Sequence, residues 1–542
     1  MSKEYFCCEN LKKYSEQDII FIIKNFPDFI ESLGLDNNGN TLLISLCKKS
    51  MSDTALSLIT TLGEKCNPEQ LDQDGNTVLI WACRNKMNDV VTLLIKSFGE
   101  KCNPEQLDQN GNTVLIWACR NKMNDVVTLL IKSFGEKCNP YQANNVDDTA
   151  LMWACSNSMS DVAILLITTF GNKCNPQQAN KNGFTVLLST CRYKMNDIAT
   201  LLIKTVGDKC NPQQVTDGSC TALMWACSNS MSDVATLLIT TFGKECNTPQ
   251  SDKNGRTALI WACENKMNDV ASLLITTFGK ECNTQHINKY GDTALTWACC
   301  NSMSDVAILL ITTFGKECNT PQANEFGYTA LIWACKNKIN DVASLLIATF
   351  GKECNPQHIN KYGDTALTWA CYNSMSDVAS LLITTFGKEC NPLQANENGY
   401  TALIWACENK MSDIASLLIT TFGKECNPQQ VNKKGYTALI CACENKMSDV
   451  ASLLITTFGK ECNPLQANEN GYTALIWACE NKMSDVASLL ITTVGESCNP
   501  GQINNIADTA LSWSCQNKMN DVAILLITTF GKKCYPTKNI VL

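Results

Sequence analysis

A strict internal period leaves this chain little freedom in how it folds. Gly39, Gly75, Gly111, Gly183, Gly255, Gly291, Gly327, Gly363, Gly399, Gly435 and Gly471 all fall on one grid of 36 residues. The remaining grid points are Asp147, Ser219 and Ala507, so 14 units follow one another without insertion or deletion, the last being 507–542. A period of this size marks an array in which each unit buries its apolar face against its neighbours. It overrides the prior of roughly three or four globular domains for a chain of this length. The expected organisation is an N-terminal helical cap over 1–38 and a repeat solenoid over 39–542. In the cap, Ser15 is expected to start a helix through "EQDIIFIIKNF", and Pro27 to stop it or begin a new turn.

One unit, 399–434, reads "GYTALIWACENKMSDIASLLITTFGKECNPQQVNKK". Thr401 is Thr in every unit and precedes a short apolar run, so it is expected to cap a first helix over about 402–408. Asn409 is expected to end it in the left-handed conformation. Ser412, or Asn in other units, is expected to cap a second helix. Asp413, present in every unit, then lies in its first turn, where a carboxylate suits the helix dipole. Ile414, Leu417, Leu418 and the Thr421–Phe422 end fall at helical spacing and predict the buried stripe. Gly423 breaks the helix, "NP" predicts a single helical turn with Asn as cap, Val431 is expected to face inward, and "NxxG" predicts a tight turn into the next unit.

These words resemble the ankyrin repeat. "G-x-T-A-L-I-W-A-C" is similar to that family's "G-x-T-P-L-H-x-A-A", "N-K-M-S-D-V-A-S-L-L-I" to its "N-G-H-x-x-x-V-x-x-L-L", and "E-C-N" to its "D-V-N". The resemblance covers roughly 39–542. The style of the units is similar to ankyrin proteins of giant amoebal DNA viruses. The fold implied is all-α: an ankyrin-type helical solenoid of about 14 helix-turn-helix repeats with long connectors. There are departures. The family period is about 33 residues; here one extra residue falls near Phe422 and two after Asn427, so the connector exceeds a plain β-hairpin finger. The family's His after "TPL" is Ile, Met, Leu or Thr, which removes its Thr–His hydrogen bonds. The family's interhelical Gly is mostly Lys or Ser, as at Lys410, which moves the expected left-handed residue onto Asn409.

Repetition is also verbatim. "GYTALIWACENKMSD" stands at 399–413 and 471–485, and "QHINKYGDTALTWAC" at 285–299 and 357–371, each pair 72 residues apart. Blocks of one and two units read as copies, which a solenoid tolerates because each unit meets only its neighbours.

Composition narrows the function class. A net charge of −8 argues against nucleic acid as the partner. The apolar runs are too short to span a membrane, and the N-terminus lacks a signal-peptide core. Of 33 cysteines, 28 occupy two fixed places per unit, such as Cys407 and Cys426; the others are Cys7, Cys8, Cys220, Cys300 and Cys441. Core filling by a small hydrophobe is the favoured reading. A thiol-rich metal or redox reservoir is the alternative, although zinc-ribbon C-x-x-C spacing is absent. A reducing intracellular compartment follows, the host cytoplasm if the chain is viral. The two histidines, His286 and His358, are copies of one connector position and assemble no catalytic set. "FGKEC" lacks the remaining residues of a P-loop. The 11 Trp occupy one position of the first helix, as at Trp405; core packing is favoured over a ligand-stacking ladder.

The expected function is therefore non-enzymatic, with no cofactor and no metal. The resemblance implies a scaffold that binds a partner protein, such as a host protein, on its concave face, and a monomer is expected. A narrower alternative is an adaptor for a host ubiquitin ligase, although 1–38 shows no clear F-box pattern and the last repeat runs to Leu542. The resemblance places contacts around the turn Gly and on the exposed side of the first helix. The residue after the Gly varies from unit to unit, which predicts a solvent-facing position. Tyr328, Tyr400, Tyr436 and Tyr472 occupy it, and Tyr290, Phe326 and Tyr362 stand just before their Gly. These seven are the candidate protein-binding residues; the plainer reading has each ring packing over its own turn.

Overall fold

The computed structural model describes residues 11, 13–246, 251–318 and 321–535. They fall into two compact units, Met1–Lys253 with Thr276–Cys282, and Asn254–Ile275 with Asn283–Leu542. Both are helical solenoids of one design. Cys7 and Cys8 lie outside the described residues. Among the described residues no helix is long and apolar enough to cross a membrane.

In the unit at 399–434, the Thr401 hydroxyl accepts from the Ile404 N–H at 3.3 Å, and the first helix runs Ala402–Glu408. Where the family's His is replaced by Thr, the cap gains a return bond: the Thr296 hydroxyl accepts from the Thr293 N–H at 2.6 Å. Asn409 is not left-handed, as the sequence suggested; Lys410 is, with φ 56°. The Asn409 amide instead donates to the carbonyls of Cys371 at 3.1 Å and Tyr372 at 2.9 Å, at the end of the preceding first helix. The reversal one residue later brings the Met411 N–H to the Ala406 carbonyl at 2.9 Å, which closes the helix end. It falls at the same place where Lys49 or Tyr193 replaces the Asn, at Ser50 with φ 59° and Lys194 with φ 57°. This staple recurs from unit to unit, for instance from Asn121 to Cys83 and from Asn481 to Cys443. Lys49 and Tyr193 take the Asn place in two units.

The second helix runs Ser412–Phe422. Ser412 is its first helical residue and not its cap; the chain enters through Met411, which makes no side-chain cap bond. Asp413 does sit in the first turn. The buried stripe is Ile414, Ala415, Leu418, Ile419 and Phe422, whereas Leu417 is half-buried and Thr421 exposed. The stripe is set by second helices of adjacent units packing side by side, while first helices pack on first helices. Each fully buried Leu, Ile or Phe contributes about 1.5–3 kcal/mol.

Gly423, at φ 53°, ends the helix, and a 3₁₀ turn follows over Gly423–Cys426. The expected single turn therefore precedes Asn427, which closes it in the left-handed conformation at φ 54°. Val431 is half-buried, and Asn432 beside it is buried. Its carboxamide oxygen accepts from the N–H groups of Lys434 and Tyr436, both at 2.9 Å, which builds the tight turn predicted from "NxxG". Successive turns join through main-chain bonds such as Lys433 N–H to the Asn398 carbonyl at 2.9 Å. No strand forms among the described residues; Ala143–Thr149 and Ala467–Thr473 are isolated bridges.

Near the N-terminus, Ser15 caps α1 (Glu16–Asn25) in a reciprocal box with Asp18, and Pro27 opens α2 (Pro27–Glu31). In the last repeat Ser514 is buried and its hydroxyl donates to the Leu511 carbonyl at 2.9 Å.

Candidate partner-binding face

Turn and first helix together present two columns of side chains. One residue before the Gly lies at the turn tip. Phe326 and Tyr362 there are 42% and 41% exposed, and Tyr290 is half-buried. Lys361 spans the first two, its Nζ 4.0 Å from the Phe326 ring centroid and 5.1 Å from that of Tyr362. Tyr290 carries Lys289 at 4.8 Å and Arg256 at 5.5 Å.

The position after the Gly is less exposed than its variability suggested. Asn76, Asp292, Tyr328 and Asp364 are buried there, and Tyr400, Tyr436 and Tyr472 are half-buried. The backbone enters the Thr cap at this point, so the side chain folds back on the first helix. Tyr328 stacks on Trp333 at 4.1 Å, Tyr400 on Trp405 at 3.9 Å and Tyr472 on Trp477 at 4.3 Å. Tyr436 has Cys441 at the Trp place. Where the residue is Asp it accepts from the next unit's Asn instead, as Asp292 does from Asn324 and Asp364 from Asn396, both at 2.9 Å. Burial pushes the Tyr400 hydroxyl up to about 12, with Glu408 adding to the shift.

The Trp column is likewise not the core filling expected of it. Except for Trp117, the indoles are half-buried and form a ladder along the first helices. Lys336 illustrates the arrangement: its Nζ lies 4.7 Å from Trp333 and 5.4 Å from Trp369, and donates to the Tyr328 hydroxyl at 2.9 Å. Tyr372, absent from the sequence-based set, sets its ring edge against Trp369 and Trp405 at 5.4 and 4.7 Å. It shares its register with Lys336 and Glu408, and that charged, variable register was the signal for an exposed side. In later units the register holds Glu408, Glu444 and Glu480. Burial raises all three carboxyls, and Glu408 and Glu480 raise Glu444 further. Between the columns the face hollows: Tyr290, Phe326, Trp333, Lys336 and Tyr362 line a recess of about 480 Å³.

The cysteines lie elsewhere. Every repeated cysteine except Cys515 is buried, and burial pushes the Cys426 thiol up to about 12 and raises Cys407 as well. Cys515 is exposed in the last repeat, while Cys220 and Cys300 are intermediate. A thiol that ionises poorly and does not meet solvent is a slow nucleophile and a poor ligand. With a water-soluble maleimide on the native chain, site-by-site mass mapping is therefore expected to show Cys515 labelled first and Cys220 and Cys300 next. The buried set should label at least about a hundredfold more slowly until denaturant is added. Rapid labelling of Cys407 or Cys426 in the native chain would restore the reservoir reading.

Among the described residues no group of three or more His, Cys, Asp or Glu is placed to hold a metal ion. The two histidines face their own turns: the Nδ1 atoms of His286 and His358 each lie 3.4 Å from the carboxamide of Asn283 and Asn355.

The family model described as "Ankyrin repeats (3 copies)" matches residues 17–106, 97–177, 151–250, 223–322, 313–392, 384–465 and 457–538. The chain belongs to the ankyrin-repeat family. No curated protein matches it. Ankyrin repeats are generally protein–protein interaction modules, which makes a protein the class of partner.

Proposed function

We propose that this chain is a non-enzymatic, monomeric scaffold that holds a partner protein on its concave face. The contact is centred on the turn-tip aromatics Tyr290, Phe326 and Tyr362, with Tyr328, Tyr400, Tyr436 and Tyr472 as the supporting column. The observation that carries this is the exposure of Phe326 and Tyr362 on either side of Lys361. Two large rings at repeat spacing, with a cation between them, make a surface of the kind found at interaction hot spots. Tyr400, Tyr436 and Tyr472 offer mainly ring edges, because each packs back on its own helix. A host protein is the partner this reading favours, and it rests on the style of the repeats alone.

The test compares two triple variants of the full chain by affinity capture from cytosol with mass spectrometry. Tyr290→Ser with Phe326→Ser and Tyr362→Ser is expected to lose the captured partner while the helical circular dichroism stays unchanged. Tyr400→Ser with Tyr436→Ser and Tyr472→Ser is expected to lose less. An unchanged partner set from the first variant overturns the proposal.

A further inference from the structure

A second surface, in the first compact unit, shares none of these residues. Its ladder alternates cation and indole over four repeats. The Lys48 Nζ lies 4.9 Å from the Trp81 ring centroid. The Arg84 guanidinium lies 4.7 Å from Trp81 and 5.3 Å from Trp117. The Arg120 guanidinium follows at 4.9 Å from Trp117 and 5.1 Å from Trp153.

The rungs are fixed from beneath. The Trp81 indole N–H donates to the Asp72 carboxylate at 2.8 Å, and that of Trp117 to Asp108 at 2.9 Å. Lys48 shares Asp72 at 2.9 Å and is thereby neutralised. Arg84 and Arg120 differ from it. Both are exposed, and among the described residues neither has a carboxylate partner or a side-chain hydrogen bond. Two planar guanidinium groups are thus each positioned against two indoles, one repeat apart, with their N–H donors unused.

We propose that Arg84 and Arg120 bind an extended acidic segment of a partner protein, one carboxylate to each guanidinium. Helices packed side by side stand about 8–10 Å apart, which sets the spacing of the two cations. A polyproline II segment has three residues per turn at about 3.1 Å each, so side chains at i and i+3 share a face about 9 Å apart. The fitting ligand is therefore an acidic residue at every third position of a polyproline II stretch. Bidentate Arg–carboxylate pairing supplies the specificity, and the indoles pre-organise the guanidinium groups so that little is lost on ordering them. A single-stranded nucleic acid fits less well. It needs free ring faces for base stacking; Trp117 carries one cation from its own repeat and one from the preceding repeat, and is 8% exposed.

The test titrates the full chain with fluorescent synthetic peptides and reads anisotropy. A peptide of repeated Glu-Pro-Pro triplets is expected to bind saturably. It should bind at least about tenfold more tightly than one of the same composition with its Glu residues clustered. Arg84→Gln with Arg120→Gln is expected to abolish this preference. Arg84→Lys with Arg120→Lys, which keeps the charge, is expected to retain only weak, salt-sensitive binding. Because these side chains are exposed, circular dichroism of both variants should match the parent. Equal affinity for the two peptides, full affinity in the Gln variant, or tighter binding of an oligouridine than of the triplet peptide each overturns the proposal. Since purified chain and defined peptide are used, the result does not depend on the capture experiment above.

Discussion

Leu418→Ala is expected to cost about 2–5 kcal/mol. Leu418 is fully buried in the second helix Ser412–Phe422, where the faces of adjacent second helices meet. Shortening it removes the transfer energy of the lost carbons and leaves a cavity whose walls, helices held on both sides, relax little. Because stability in a solenoid is close to a sum of repeat and nearest-neighbour terms, the damage is expected to be local. Hydrogen exchange in Ser412–Phe422 and in the flanking helices Ser376–Phe386 and Ser448–Phe458 should speed up by at least about 30-fold, with protection in Asn88–Phe98 unchanged. The same truncation at half-buried Leu417 should cost clearly less. Equal effects at the two positions would mean that the stripe has been misassigned.

Gly399→Ala is expected to cost about 2–3 kcal/mol, more than its chemistry suggests. Gly399 has φ 81°, a conformation that costs an L-residue about 1–2 kcal/mol. An added Cβ would also stand 2.7 Å from the Val431 carbonyl oxygen and 2.8 Å from the Asn432 Cα, both backbone atoms of the next connector. Gly75 separates the two terms: it holds the equivalent turn, at φ 75°, but the atom nearest its Cβ position is the Leu107 carbonyl oxygen at 3.7 Å, an ordinary contact. Gly75→Ala should therefore lose only the handedness term, and urea midpoints of the two variants measure the difference. Asp147, Ser219 and Ala507 hold the equivalent turn in other repeats at φ 63°, 60° and 65°. If Gly399→Ala and Gly75→Ala unfold alike, the close approach of consecutive turns carries no cost.

The local features of the unit were legible from sequence. Thr401 as cap, the first helix through Glu408, Gly423 as breaker and the "NxxG" turn depend only on residues a few places away, and each is found as expected. Two misreadings concern side chains whose partners the local signal does not name. Asn409 carries a strong left-handed signal, yet Lys410 takes the reversal while the Asn409 amide bonds Cys371 and Tyr372 of the preceding repeat. Tyr328 occupies a variable position beside a turn and reads as exposed, but Trp333 and Lys336 close over it. The Trp column failed for another reason. "ALIWAC" is apolar on every side, so a helix of seven residues offers no amphipathic contrast to show which way Trp405 points. Only the register of Lys336, Tyr372 and Glu408 reveals that side.

The staple made by Asn409 is one-sided. The donor is a side chain that 12 of the 14 repeats carry for themselves, but the acceptors are main-chain carbonyls of the preceding repeat, and every sequence has those. The joint is a plug that fits any socket. A newly inserted repeat needs no matched change in its neighbour to be fastened, only its own Asn in the right place. Verbatim words 72 residues apart are what such a joint permits: segments can be set down anywhere on the grid and hold at once, leaving the turn tips and the charged register of the first helix free to diverge afterwards.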